Sequence, residues 1–359
     1  MGNRLKTVTI GPVRAELVEP VIYNLKTDEK HNIVKCDIRT EFSYRAIEDY
    51  IKTKTIYEAM FLIERICGIC SNTHTTAFAQ AIEQINNIKI PNRAAYIRSI
   101  IAEFERMHSH LLNLYEVFES AGFPQQAIEA LSVRETVLSV LERCTGSRLL
   151  YDINTIGGLR RNVSDETILK GLKQIERQEK KLDRLHQDLI NIGKRLQDVG
   201  YIPKDIARKY GVVGPVARAA NIKLDVRLLQ PYAAYNKIDF EVKLKDKSDA
   251  YNRTLIRFEE LFESMRIVKN LYETMPKEDF RTEFRTMKDG IAVSRTEAPR
   301  GENIHFVVLD DFGGIDNIQM RVPSIPNLNI LRIIALGSKV DNFQVIRSSL
   351  DPCMACHDR

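Results

Sequence analysis

Residues 93–122 read RAAYIRSIIAEFERMHSHLLNLYEVFESAG. Apolar side chains recur there at three- and four-residue intervals and a glycine ends the run, the pattern of a long helix with a left-handed stop. Residues 125–153, QQAIEALSVRETVLSVLERCTGSRLLYDI, repeat it. Residues 164–193, SDETILKGLKQIERQEKKLDRLHQDLINIG, open on Ser164, a good N-cap, with Asp165 and Glu166 in the first turn. One side of that segment is heavily charged, so one long surface-facing helix is expected. A further helix is expected over about 249–272.

Outward from these helices the period changes. VTIGPV, AELVEPVIYNL and NIVKCDI near the start alternate apolar and polar positions between Pro and Gly breaks. GIAVSR, IHFVVLD and IQMRVPS do the same after Lys288. Both groups read as strands of small antiparallel sheets. A short helix, NLNILRIIALGS, precedes the tail. The expected fold is α+β and mainly helical: a central helix bundle flanked by small antiparallel sheets built from both chain ends. It forms one integrated domain over residues 1–359, its N- and C-terminal motifs meeting at one site.

Composition narrows the function. The chain has 359 residues, 53 basic and 48 acidic, for a formal charge of +5. The basic residues lie among acidic ones, which is a mixed solvated surface and argues against a nucleic-acid footprint. No segment reaches the ~20 apolar residues of a membrane span, and MGNRLKTVTIGP lacks the apolar centre of a signal peptide. The expectation is a soluble, unexported chain able to dock on membrane partners.

Six cysteines in a chain of this length are no disulfide scaffold. Cys67 and Cys70 form one CxxC pair in ERICGIC, and Cys353 and Cys356 form another in DPCMACHDR. Four thiolates suit zinc, iron–sulfur clusters, copper(I) or nickel. A structural zinc knot is the plain alternative. Cys36 and Cys144 read as buried packing residues. His74 follows Cys70 by four residues at a helix start, so it is placed to donate to the Cys70 sulfur and tune a redox metal. His108 and His110, two apart on a helix, cannot face the same side; at most one points toward a site. His186 and His305 read as incidental.

RICGICSNTH (65–74) and DPCMACHDR (351–359) together resemble the RxCGxCxxxH and DPCxxCxxR/H motifs of nickel–iron hydrogenase large subunits. EAPRGE (297–302) and RVPS (321–324) resemble two further segments of that family. GPVRAELVEP, YRAIE, ERMHSHLL, GGLRRN, GVVGPVARA and DVRLLQPYAAY are similar to its energy-converting, Ech-type branch, which is related to respiratory complex I. ARAAN departs from that branch's usual RASG, which bears on local loop shape alone.

The resemblance implies a nickel–iron centre whose iron carries carbon monoxide and cyanide. Cys67 and Cys353 would be terminal on nickel, and Cys70 and Cys356 would bridge to iron. Arg300, Ser324 and Pro323 would line the diatomic ligands, with Asp351 hydrogen-bonding near the site and holding the DPC turn. Heterolysis of dihydrogen needs a Lewis-acidic metal and a base. Cys353 is the favoured proton acceptor; Arg300 is its rival by position, but its guanidinium is already protonated. Glu19, or the nearby Glu16, would be the next relay.

Some relatives hold a magnesium or iron ion between a terminal histidine and an acid at the place of Glu48. Here Arg359 stands at the end, so an ion pair with Glu48 is expected instead of that ion, with His357 a weak candidate ligand. In the family an extension is cut off after nickel insertion, and a stop at Arg359 matches that cut. No further cysteine cluster could hold an iron–sulfur centre. The implied partners are a small subunit bearing a [4Fe–4S] cluster, ferredoxin, and integral membrane ion-translocating subunits, with this chain peripheral on the cytoplasmic side of the membrane. Two other readings stay open: a metal-free quinone-site subunit of a complex-I-like enzyme, and a zinc-stabilised assembly protein.

Overall fold

The computed structural model describes residues 5–14, 17–284 and 287–359. Strands β1 (Lys6–Ile10), β2 (Ile22–Thr27) and β3 (Ile33–Arg39) form an antiparallel sheet in that order, with Ile10 opposite Tyr23 and Leu25 opposite Cys36. Helices α1 (Ile47–Ile51), α2 (Ile56–Glu64) and α3 (Ser71–Asn86) lead into α4 (Asn92–Ala121) and α5 (Pro124–Thr145). A minimal hairpin, β4 (Asn154–Thr155) and β5 (Gly158–Leu159), precedes α6 (Asp165–Glu176) and α7 (Glu179–Ile192). Three short helices follow, α8 (Lys204–Lys209), α9 (Gly214–Ala219) and α10 (Val226–Leu229), before the long α11 (Ala250–Thr274). A second antiparallel sheet holds β6 (Gly290–Ala298), β7 (Gly301–Leu309) and β8 (Ile315–Arg321), and the chain closes with α12 (Ser324–Ile334), α13 (Phe343–Leu350) and α14 (Met354–Asp358).

The glycine stops act as the sequence suggested. Gly122 and Gly146 take φ of +89° and +83° just past α4 and α5, a conformation that costs glycine no Cβ clash. Helix α4 is the axis of the bundle. Ile97, Ile101, Phe104, Leu111 and Phe118 pack into one core with side chains of α5, α6, α7 and α11. Charged residues of α4 are buried as well, among them Arg98, Glu103, Glu105 and Arg106.

The expected single helix over 164–193 is two. The chain turns at Arg177 and Gln178, and Ile168, Leu172 and Ile175 of α6 and Leu182, Leu185 and Leu189 of α7 all reach the bundle core. No glycine or proline marks the break, so packing decides it against local propensity. The tail also holds two helices, α13 and α14, where the pattern had shown only the segment that became α12.

Two smaller cores flank the bundle. One joins the inner face of β1–β3 (Tyr23, Leu25, Cys36) to α9, α12 and α13. The other packs α2 and α3 against β6–β8 and includes all four motif cysteines. The β6–β7 turn is pressed against the start of α9. A Cβ on Gly301 (φ +126°) would fall 2.5 Å from the Gly214 nitrogen, and one on Gly214 (φ +65°) 2.1 Å from the Arg300 carbonyl oxygen. Only glycine allows that approach, and it fixes Arg300 beside the third core.

Candidate metal centre

Each cysteine pair straddles a helix start. Cys67 lies in the loop after α2 and Cys70 is the N-cap of α3; Cys353 is the N-cap of α14 and Cys356 lies within it. The α3 terminus adds a partial positive charge beside the sulfurs, which favours thiolate. The backbone N–H of Ile69 donates to Cys67 Sγ at 3.2 Å.

The two chain regions bring their sulfurs into one cluster. Cys67 and Cys353 are 3.5 Å apart, Cys70 and Cys356 3.3 Å, and Cys353 and Cys356 3.4 Å. All four are buried. Hydrogen bonds from the Cys353, Cys356 and Cys70 thiols hold the Cys67 thiol well below its ordinary value, while Cys353, Cys67 and Cys70 push Cys356 up.

Around the sulfurs lies a shell of buried polar groups. Arg300 donates from Nε to the Asp351 carbonyl oxygen (3.0 Å), from Nη1 to Ser109 Oγ (3.1 Å), and pairs through Nη2 with Asp351 Oδ1 (2.7 Å). All three of these contacts are buried. Asp351 takes φ +60° at the end of α13, which turns the chain into the second cysteine pair. Ser324 Oγ accepts the Cys353 N–H at 3.0 Å. Beyond Cys70 and Cys356 a cavity of ≈ 10 Å³ is lined by His74, Arg300, Asn303, Pro323 and Ser324.

Glu19 lies beside Cys353. Its carboxylate accepts the Met354 N–H and is 3.8 Å from Cys353 Sγ. Burial, and then the charge of Cys67, raise this carboxyl above its ordinary value. Glu16 lies outside the described residues.

Two histidine readings need correction. His74 meets Cys356, with Nε2 3.6 Å from its sulfur, and no bond joins it to Cys70. The thiols of the second pair close over α3 and take the position that helical spacing had given to Cys70. His305 is not incidental: its Nε2 is 3.1 Å from His74 Nδ1. Burial holds His74 at about 4 and His305 well below its ordinary value, so both rings are neutral at pH 7. Donation from His74 Nε2 to sulfur then requires His305 Nε2–H to donate to His74 Nδ1. His108 and His110 do face different partners, Tyr151 (3.1 Å) and Glu260 (2.8 Å).

At the end of the chain Arg359 Nε pairs with Glu48 Oε1 at 2.8 Å, and the same oxygen accepts the Met320 N–H. His357 turns to Asp358.

The residues fit a metal cluster larger than a zinc knot. A structural zinc site closes around its four ligands. Here a small cavity adjoins Cys70 and Cys356, and the Glu19 carboxyl adjoins Cys353. Sequence reasoning missed Ser109, Asn303 and His305. Strand alternation from Gly301 through Asn303 to His305 could have placed the last two on the inward face of β7.

The comparisons agree with this geometry. Residues 45–119 match the model of the nickel-dependent hydrogenase family, and residues 122–289 and 280–359 match that of the 49 Kd subunit of respiratory-chain NADH dehydrogenase. The chain is 31% identical to the membrane-bound hydrogenase subunit alpha of Pyrococcus furiosus, over 98% of this chain and 87% of that protein. It is 29% identical to the carbon monoxide-induced hydrogenase of Rhodospirillum rubrum, over 98% of this chain and 99% of that protein. Among solved structures, a chain of the membrane-bound sulfane sulfur reductase, an archaeal respiratory membrane complex, superposes with a TM-score of 0.94 at 25% identity, covering 99% of this chain and 98% of that one. Among the described residues no helix is long and apolar enough to cross a membrane. With its clustered cysteines and its match along nearly the whole length of these relatives, the chain belongs to the family of nickel–iron hydrogenase large subunits, in the membrane-bound branch related to the 49 kDa subunit of complex I.

Proposed function

We propose that this oxidoreductase chain is the catalytic large subunit of an energy-converting nickel–iron hydrogenase, cleaving and forming dihydrogen reversibly. The observation that carries the reading is the four-sulfur cluster with a small cavity beside Cys70 and Cys356 and Glu19 beside Cys353. Cys67, Cys70, Cys353 and Cys356 would hold the nickel–iron centre, which when bound supplies a Lewis-acidic position for dihydrogen and carries carbon monoxide and cyanide on iron.

The chain's own residues supply the rest. Cys353 takes the proton at Sγ and Glu19, 3.8 Å away, receives it next. Asp351 and Ser109 hold Arg300 in place, so its remaining N–H groups and the Ser324 hydroxyl are available to acceptors in the cavity. Pro323 keeps that wall apolar beside Ser324. Arg359 on Glu48 takes the place of a cation at the end of the chain. Electrons leave to a small subunit with a [4Fe–4S] cluster and then to ferredoxin. Membrane subunits couple the reaction to ion translocation and hold this chain on the cytoplasmic side.

A metal-free quinone-site role is disfavoured because it gives four clustered thiols no task. Isotope exchange tests the proposal. The purified complex should contain nickel and iron and exchange deuterium gas with water, and Cys353→Ser should lose that exchange. A complex holding zinc, with no exchange in its properly matured form, would refute it.

A further inference from the structure

Asn303 is completely buried on the inward face of β7, next to the Arg300 turn. It lines the cavity that Cys70 and Cys356 close, together with Arg300 and Ser324. One end of its carboxamide reaches Thr296 Oγ1 at 3.3 Å, across the β6–β7 pair that sets Thr296 opposite Asn303. The other end is buried without a hydrogen-bond partner among the described residues. Leaving such a group unmatched costs roughly 1–3 kcal/mol, and a leucine would fill the same place at no such cost.

The two ends of a carboxamide exchange by a half-turn that leaves its shape unchanged, and their placement follows from the surrounding donors and acceptors. As placed, the amide nitrogen donates to Thr296 Oγ1, that hydroxyl donates to the Thr73 carbonyl oxygen at 3.4 Å, and the amide oxygen is the unpartnered end; after the half-turn the hydroxyl would leave Thr73 and donate to the Asn303 oxygen instead. The end facing the cavity must therefore suit whatever the cavity holds. The walls already offer donors: unused N–H groups of Arg300 and the Ser324 hydroxyl, whose oxygen accepts from Cys353. The ≈ 10 Å³ available is at the lower limit for one water, so a free solvent network does not satisfy them. Such donors on an otherwise apolar wall suit a short acceptor ligand.

Resting on the nickel–iron reading above, we propose that Asn303 turns its amide nitrogen into this cavity and donates to an iron-bound cyanide, as a positioning residue beside Arg300 and Ser324. Three donors around one small volume fix the rotation of the iron's ligand set, and donation to a cyanide nitrogen withdraws electron density from the metal.

The test is infrared spectroscopy on the intact, matured complex, comparing wild type with Asn303→Leu and Asn303→Ala. Donation to a cyanide nitrogen raises its stretching frequency. In either folded, nickel-containing variant one cyanide band should move to lower wavenumber, with a smaller change in the carbon monoxide band. Unchanged cyanide bands in a loaded variant would overturn the role of Asn303 and leave the metal reading standing. Absence of all such bands from wild type would instead remove the reading beneath it. Should neither variant load metal, a structure of the loaded wild-type complex decides. An Asn303 amide nitrogen within about 3.2 Å of a diatomic ligand's outer atom supports the proposal, and a separation beyond about 4 Å overturns it.

Discussion

Cys353 and Glu19 lie far apart in sequence and 3.8 Å apart in space. Burial and the charge at Cys67 raise the Glu19 carboxyl, which makes it a proton carrier closer to neutral pH than an exposed acid. Glu19→Gln keeps the shape and one acceptor oxygen for Met354. It should leave nickel content unchanged and slow proton exchange with solvent by about 10²-fold or more; normal exchange would move the relay elsewhere. His305 makes a different test, because it acts through His74. His305→Ala frees the His74 ring and should cost roughly 10–100-fold in metal occupancy or activity, with His305→Asn restoring part of it through a donor at the same place. At this scale the sequence was legible where a motif repeats a spacing, as with the cysteines, while Glu19 and Arg300 were named from the family resemblance alone. It was silent on His305 and Ser109, whose roles depend on which neighbours the fold delivers.

Helix α4 shows why pattern alone was insufficient among the elements. Its apolar stripe announced a helix, but Arg98, Glu103, Glu105 and Arg106 are as buried as its leucines. Glu103 accepts from Arg227 (3.0 Å), Tyr235 (2.6 Å) and Ser264 (2.6 Å) and pairs with Arg106 (3.3 Å). Arg218 joins Glu260 (2.7 Å) and Glu297 (2.8 Å), so ion pairs link α9, α11 and β6, as Arg227 on Glu103 links α10 to α4. Burial alone would raise Glu103, yet Arg106 and Arg227 hold it at about 2. A carboxylate with a depressed value contributes stability above its ordinary value of 4.5, and that stability is lost as pH falls toward about 2. Glu103→Gln should therefore cost roughly 3–5 kcal/mol at pH 7, with the gap to wild type narrowing below about pH 4.5 in denaturant melts. Gly301→Ala tests the β6–β7 turn. The new Cβ has no room against Gly214, so the variant should lose roughly 1–3 kcal/mol and displace Arg300, read as lowered nickel retention. Neither the turn's pressure on α9 nor the break between α6 and α7 is written in local propensity; both are settled by what packs opposite.

Across the whole molecule, the sequence's outline of a helix bundle with two end sheets matches the structure. Among the described residues no helix is long and apolar enough to cross a membrane. Closure of the chain ends was legible in the expected pairing of Arg359 with Glu48, but the sequence was silent on the bonds of Arg45 and Ser43. Arg45 donates to the Ala355 carbonyl, Asp358 accepts the Ser43 N–H, and Arg359 pairs with Glu48, so the last residues are tied to the α1–α2 region independently of any metal. A metal bound by both cysteine pairs stabilises only the folded state. Its removal should lower Tm and speed amide exchange in α14 first, leaving α4 and α11 protected. The central claim remains that the four sulfurs carry a nickel–iron centre. Infrared spectroscopy of the matured complex tests it most directly: the account predicts sharp bands from metal-bound carbon monoxide and cyanide, all lost in Cys70→Ser. An active, matured complex with no such bands and zinc at the four cysteines would contradict it.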